Sequence, residues 1–115
     1  MASKRKDQQE DAKFRVMQLI NQNPELTSRE IALKAKISNG SAYYLLLSLI
    51  NAGYVKLQNF KKSSQKKRYS YLLTPKGIYE KSRLANEFLV RKKIEYKALI
   101  EEINQLEQDI DLGRK

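Results

Sequence analysis

The thirty residues from Leu26 to Val55, LTSREIALKAKISNGSAYYLLLSLINAGYV, constrain the fold more than any other part of the chain. Thr27 followed three residues later by Glu30 is a capping box, in which each side chain satisfies a backbone amide left orphaned at a helix start. Leu26 and Ile31 stand where a hydrophobic staple would tie the chain's entry to that helix. The helix is expected to run to about Ala35, burying Ile31, Ala32 and Ala35 and exposing Arg29 and Lys34. Lys36 and Ile37 make the turn. Ser38 is a good N-cap for a second helix, whose apolar positions Ala42, Leu45, Leu46, Leu49 and Ile50 recur at three- and four-residue spacing on one face. Gly53 then ends it, as a C′ glycine should.

Two helices joined by a tight turn and followed by entry into a strand form a helix-turn-helix, which lays its second helix in the DNA major groove. On the other face of that second helix stand Asn39, Gly40, Ser41, Tyr43, Tyr44, Leu47 and Ser48. Short hydroxyl and amide side chains near a helix N-terminus bond phosphates or base edges, and Gly40 removes bulk that would hold the helix away from DNA. Ser38 at the helix start and Arg29 on the preceding helix complete this reading face. A plainer account also stands, in which Ser38 only caps and the tyrosines pack on a neighbouring element. Leu47 fits either a thymine methyl or bare surface.

Composition agrees with a nucleic-acid partner. With 115 residues, the chain suits one small domain and an appended helix. Its 23 Lys and Arg against 13 Asp and Glu give a formal charge of +10, which favours polyanions. There is no cysteine and no histidine. Disulfides, zinc fingers, thiolate nucleophiles and imidazole acid–base catalysis are therefore excluded together. No catalytic residue, metal or cofactor is expected, and nothing in the chain approaches the roughly 18 apolar residues of a membrane span. The expected setting is the cytoplasm.

Residues up to about Lys6 are polar and basic and are expected to fray, with contact to a phosphate backbone as an alternative role. From about Gln8 to Asn23, Ala12, Val16, Leu19 and Ile20 fall close to one face with Phe14 and Met17 flanking it, an amphipathic helix stopped by Asn23 and Pro24. After the helix-turn-helix, Tyr54 to Asn59 and Arg68 to Leu73 read as two strands. Tyr69 and Tyr71 share one face and are expected to pack on the domain. The FKKSSQKK loop between the strands carries Lys61, Lys62, Lys66 and Lys67 and runs into Arg68. Five cations at a hairpin tip repel one another unless an anion is near, although a solvated turn that keeps an edge hairpin soluble has the same composition. Next to a recognition helix, such a hairpin is a wing, whose lysines supply affinity and salt dependence more than sequence choice.

Thr74 and Pro75 start a last helix with a cap and an N1 proline, expected to extend roughly 35 residues. Ile78, Leu84 and Phe88 are expected to pack on the domain. Further on, Tyr96, Leu99, Ile103, Leu106 and Ile110 keep a heptad-like spacing that continues back through Lys92 to Leu89. This stripe either pairs with a second subunit or folds back on its own monomer.

The run NPELTSREIALKAKISNGSAYYLLLSLINAGYVKLQNF, with YSYLLTPKGIYEKSRLANEFLVRKKIEYKALIEEI after it, resembles the MarR-type, exopolysaccharide-associated transcriptional regulators, from about residue 14 to residue 106. The most specific pieces are Gly53-Tyr54-Val55-Lys56, the block from Tyr71 to Gly77, and Phe88-Leu89 with Arg91-Lys92. The resemblance implies a winged helix, a bacterial cytoplasmic setting, dimerisation and control of promoters near polysaccharide genes. Two positions depart from the family pattern: Tyr43 stands where asparagine is common and Leu47 where lysine is common, so the target sequence is expected to differ. At 115 residues the chain is also shorter than a typical MarR subunit, and the flanking helices that build the cleft for phenolic ligands are not expected. No small-molecule effector is expected.

The expected fold is thus mainly α, an α+β winged helix-turn-helix with a three-helix core, a two-stranded wing and a long C-terminal helix. The DNA-binding domain is expected over 8–77 and the dimerisation helix over 75–112. Duplex DNA and a second copy of the chain are the expected partners. A non-specific RNA-binding or architectural protein, and an adaptor acting through the C-terminal helix, are the alternatives from other classes.

Overall fold

A computed structural model describes residues 4–63 and 66–114, with side chains over 5–58 and 69–114. The elements run α1 (Lys4–Gln22), α2 (Ser28–Ala35), α3 (Asn39–Asn51), β1 (Val55–Ser63), β2 (Lys66–Leu73) and α4 (Pro75–Gly113). The strands pair antiparallel as a two-stranded sheet, with Val55 opposite Leu73 at its base. This is a winged helix-turn-helix. The chain divides into two units, Met1–Leu84 and Ala85–Lys115, with α4 shared between them.

The local signals in the sequence act as physical chemistry requires. Thr27 Oγ1 accepts from the Glu30 amide at 3.1 Å, and the Thr27 amide donates to Glu30 Oε1 at 3.0 Å. Both halves of the capping box are therefore made. Lys36 ends α2 in the left-handed region at φ 59°, and the Ile37 amide donates back to the Ala32 carbonyl at 3.0 Å. Ser38 Oγ accepts from the Ser41 amide at 3.0 Å and caps α3. Gly53, at φ 80°, follows the helix in the conformation that favours glycine.

The core of the first unit lies among α1, α2, α3 and the start of α4. Val16, Met17, Ile20, Ile31, Leu49 and Leu84 are fully buried, with Leu26, Leu46 and Val55 beside them. Leu26 and Ile31 thus close the staple. Met17, expected at the flank of the α1 stripe, is central to it.

Tyr54 is the junction that sets α4 against this core. Its amide donates to the Leu49 carbonyl at 2.9 Å and its carbonyl accepts from the Thr74 amide at 3.0 Å. Thr74 Oγ1 donates to the Gly53 carbonyl at 2.6 Å and accepts from the Gly77 amide at 3.0 Å, which caps α4. The Tyr54 ring is flanked by two cations, Lys13 Nζ at 5.0 Å and Lys76 Nζ at 5.2 Å.

Four expectations are corrected. Helix α1 begins at Lys4, so Arg5 and Lys6 belong to its first turn, and residues 1–3 lie outside the described residues. The strands are longer than expected: Lys61, Lys62, Lys66 and Lys67 lie within β1 and β2, because the backbone ladder continues past the aromatic segments. The turn residues Ser64 and Gln65 lie outside the described residues. Tyr71 packs against the core, but Tyr69 is 51% exposed; the two share a strand face, and Tyr69 lies farther from the sheet base. Ile78 is 56% exposed, because α4 turns Gly77, Glu80 and Leu84 inward. A glycine and a glutamate on that inner face hid it from an apolar periodicity.

Among the described residues of the first unit, Glu80 is the buried charge. Its carboxylate accepts from Lys13 Nζ at 2.7 Å and, through its two oxygens, from Arg83 Nε at 2.7 Å and Nη2 at 3.0 Å. The Arg83 hydrogen bonds, aided by Lys13 and opposed by burial, lower its pKa from 4.5 to about 2. A depressed carboxylate pKa contributes stability that is present above the unfolded value and is lost as pH falls through the folded one. Glu80→Gln is therefore expected to cost about 1–3 kcal/mol at neutral pH. The gap from wild type should narrow as pH falls from about 4.5 toward 3. Urea unfolding of both proteins at pH 7 and pH 3 checks this, and an equal gap at both would show that the ion pair contributes nothing.

Candidate nucleic-acid interface

Helix α3 separates its two faces cleanly. Ala42, Leu46 and Leu49 are buried, and Leu45 and Ile50 are partly buried against the core. Asn39, Gly40, Ser41, Tyr43, Tyr44, Leu47 and Ser48 are all exposed. Tyr44 reaches 78% and Tyr43 59% exposure, so neither tyrosine is a packing residue of the first unit. Ser38 and Ser41 form a hydroxyl pair at 2.9 Å at the start of this face. A methyl group at Gly40 would meet nothing within 4 Å, and its φ is not positive. Neither packing nor backbone conformation requires glycine there.

The flanks of this face carry cations. On one side Arg29 lines a shallow cleft with Thr27, Ser28, Asn39 and Tyr43, which brings the exposed arginine of α2 to the start of α3. On the other side Arg5, Lys6 and Glu10, from the first half of α1, line an open groove together with Gly40, Ser41, Tyr44 and Ser48 of α3. Sequence reasoning gave Arg5 and Lys6 no place in the fold, because a short polar N-terminal run carries no apolar periodicity. Their cationic character was the available signal. Burial pushes the Tyr71 phenol above its ordinary pKa, and nearby Tyr43 adds to the shift.

The wing is placed by its backbone. The Tyr71 amide donates to the Pro24 carbonyl at 3.1 Å, tying β2 to the α1–α2 connection. Register sets Phe60 opposite Arg68, Lys61 opposite Lys67 and Ser63 opposite Lys66, with an irregularity between Lys61 and Ser63. Like charges directly opposite one another destabilise an antiparallel pair. The side chains of Lys61, Lys62, Lys66, Lys67 and Arg68 lie outside the described residues.

In the second unit, Leu89, Tyr96, Leu99, Ile103, Leu106 and Ile110 are exposed along α4. Among the described residues, no helix is long and apolar enough to cross a membrane.

Comparison with known proteins agrees with this architecture. A family model described as winged helix-turn-helix DNA-binding matches residues 9–56, from α1 into β1. No curated protein matches the chain. Among solved structures, a PadR-like transcriptional regulator from Bacillus cereus is similar at 22% identity over 76% of this chain and 89% of that chain, with a TM-score of 0.66. Sso10a-2, a DNA-binding protein from Sulfolobus solfataricus, is similar at 20% identity over 84% of this chain and 93% of that chain, TM-score 0.60. MarR from Staphylococcus aureus, solved with salicylate and kanamycin, is similar at 19% identity over 84% of this chain and 67% of that chain, TM-score 0.55. These likenesses show a shared fold, the winged helix-turn-helix.

Proposed function

We propose that this protein is a MarR-like, sequence-specific regulator of transcription that binds double-stranded DNA as a homodimer. The observation that carries the reading is the exposed face of α3, where small hydroxyl and amide groups begin a helix whose opposite face is wholly committed to the core. A helix presented this way fits a major groove about 12 Å wide. Asn39, Gly40, Ser41, Tyr43, Tyr44 and Leu47 meet base edges and methyl groups, with Ser38 at the entry. Arg29 on one flank and the wing cations Lys61, Lys62, Lys66, Lys67 and Arg68 neutralise phosphates. Leu89 and the stripe from Tyr96 to Ile110 join two copies over the 75–112 helix, leaving 8–77 as the DNA-binding domain.

The finer assignment, control of exopolysaccharide genes in a bacterial cytoplasm, rests on the resemblance of residues 53–56, 71–77 and 88–92. The reading assigns no catalysis, metal or cofactor, and no small-molecule effector.

Selection of bound duplexes from a random DNA pool at near-physiological salt tests the reading. The expected result is a palindrome whose half-sites lie one helical turn, or a multiple of it, apart. Bound DNA with no shared sequence and steep salt dependence would replace the regulator by a non-specific nucleic-acid binder. No binding at all would favour an adaptor acting through α4.

A further inference from the structure

The second unit is a helical stretch whose described residues carry an apolar face interrupted at Lys92. Leu89, Tyr96, Leu99, Ile103, Leu106 and Ile110 lie at alternating three- and four-residue steps once Lys92 is included, and Ile100 widens the face. Charge is divided unevenly along it. Arg91, Lys92, Lys93 and Lys97 outnumber Glu87 and Glu95 in its first half, whereas Glu101, Glu102, Glu107, Asp109 and Asp111 precede Arg114 in its second, so the first half is net basic and the second net acidic.

We infer that this face takes a second copy of the same helix, and that the two run antiparallel. The inference rests on the dimeric reading above and adds its direction. A parallel pair would stack the five carboxylates of one copy beside the same five of the other. It would also bring the two Lys92 ammonium groups into one seam layer and set Glu102 beside the partner's Glu107. An antiparallel pair brings each basic half against an acidic half.

One antiparallel register satisfies the seam. Tyr96 faces the partner's Leu99, Lys92 the partner's Ile103, Leu89 the partner's Leu106 and Ala85 the partner's Ile110. Lys92 then lies beside the partner's Glu102 while keeping Glu95 of its own helix, which it holds at 3.1 Å. The partner's Glu102 falls between Arg91 and Glu95, one turn apart on the same flank, so the arginine offsets the like-charge approach of Glu95.

The absence of cysteine from the natural chain permits single spin labels at chosen sites. Ala98 and Gln108 are both exposed and both point away from the apolar stripe. Labelled Ala98→Cys and Gln108→Cys variants of the full chain are measured by pulsed dipolar spectroscopy. In the antiparallel register the two labels at position 98 are level along the axis, whereas those at position 108 are displaced by about 30 Å. The expected result is a short distance for Ala98→Cys and a clearly longer one for Gln108→Cys. Equally short distances at both sites would overturn the antiparallel direction and leave the dimer intact. An absence of dipolar coupling at both, with sedimentation showing a monomer, would remove the dimeric reading itself.

Discussion

Replacing Gly77 with alanine is expected to lower the stability of the first unit by about 2–3 kcal/mol and its melting temperature by about 10 °C. Gly77 lies in the first turn of α4, where a Cβ would stand 2.0 Å from the Tyr54 carbonyl oxygen and 2.9 Å from its carbonyl carbon. Backbone atoms cannot swing aside as a flexible side-chain tip does. The same oxygen accepts from the Thr74 amide, so any shift that makes room also weakens the bond that sets the start of α4. Intrinsic helix propensity points the other way, since alanine is preferred to glycine by about 1 kcal/mol inside a helix. The sign of the change is therefore decisive. Melting followed by near-ultraviolet circular dichroism of the tyrosines reads it, and an unchanged or raised midpoint would mean that α4 does not approach Tyr54 so closely.

The second large effect is on binding. Changing Lys61, Lys62, Lys66 and Lys67 together to alanine is expected to weaken DNA affinity at near-physiological salt by two to three orders of magnitude, on the scale of about four phosphate contacts. The plot of log affinity against log salt should lose about 3.6 from its slope, because each neutralised phosphate contributes roughly 0.9 through counterion release. The ranking of preferred sequences should survive, since contacts to the backbone carry no base identity. Titrating one operator and one scrambled duplex at several salt concentrations separates these quantities. An unchanged slope would take the wing off the phosphates, and a changed ranking would give it a part in sequence choice.

The Gly53-Tyr54-Val55 exit and the Thr74-Pro75-Lys76-Gly77 block meet at one junction, through the Thr74 hydroxyl, the Tyr54 carbonyl and the Lys76 ammonium, which donates to the Ala52 carbonyl at 3.0 Å. They are architectural: they hold the wing's strands and the start of α4 at the end of α3. Tyr43 and Leu47 lie instead on the open face of α3.

What the sequence determined by itself were the features whose causes are local. The capping box at Thr27 and Glu30, the Ser38 cap, the glycine after α3 and the apolar faces of α1, α2 and α3 each depend on residues within about two helical turns. Their chemistry is complete before any distant part of the chain arrives, and the structure carries each of them. The exposed set on α3 was legible for the same reason, as the complement of a clear apolar stripe.

Tertiary structure decided what depends on distant partners. Glu80 is buried because Lys13, 67 residues away, meets it, and no spacing rule links those two positions. Gly77 is inward because the Tyr54 backbone leaves no room for a side chain, whereas Ile78, the more apolar neighbour, is turned out. Arg5 and Lys6 share a groove with residues of α3 because the path of α1 across the domain brings its N-terminal half there. Local periodicity identifies which side chains seek burial; the backbone path of other elements determines which face has a neighbour, and at α4 that second condition governed.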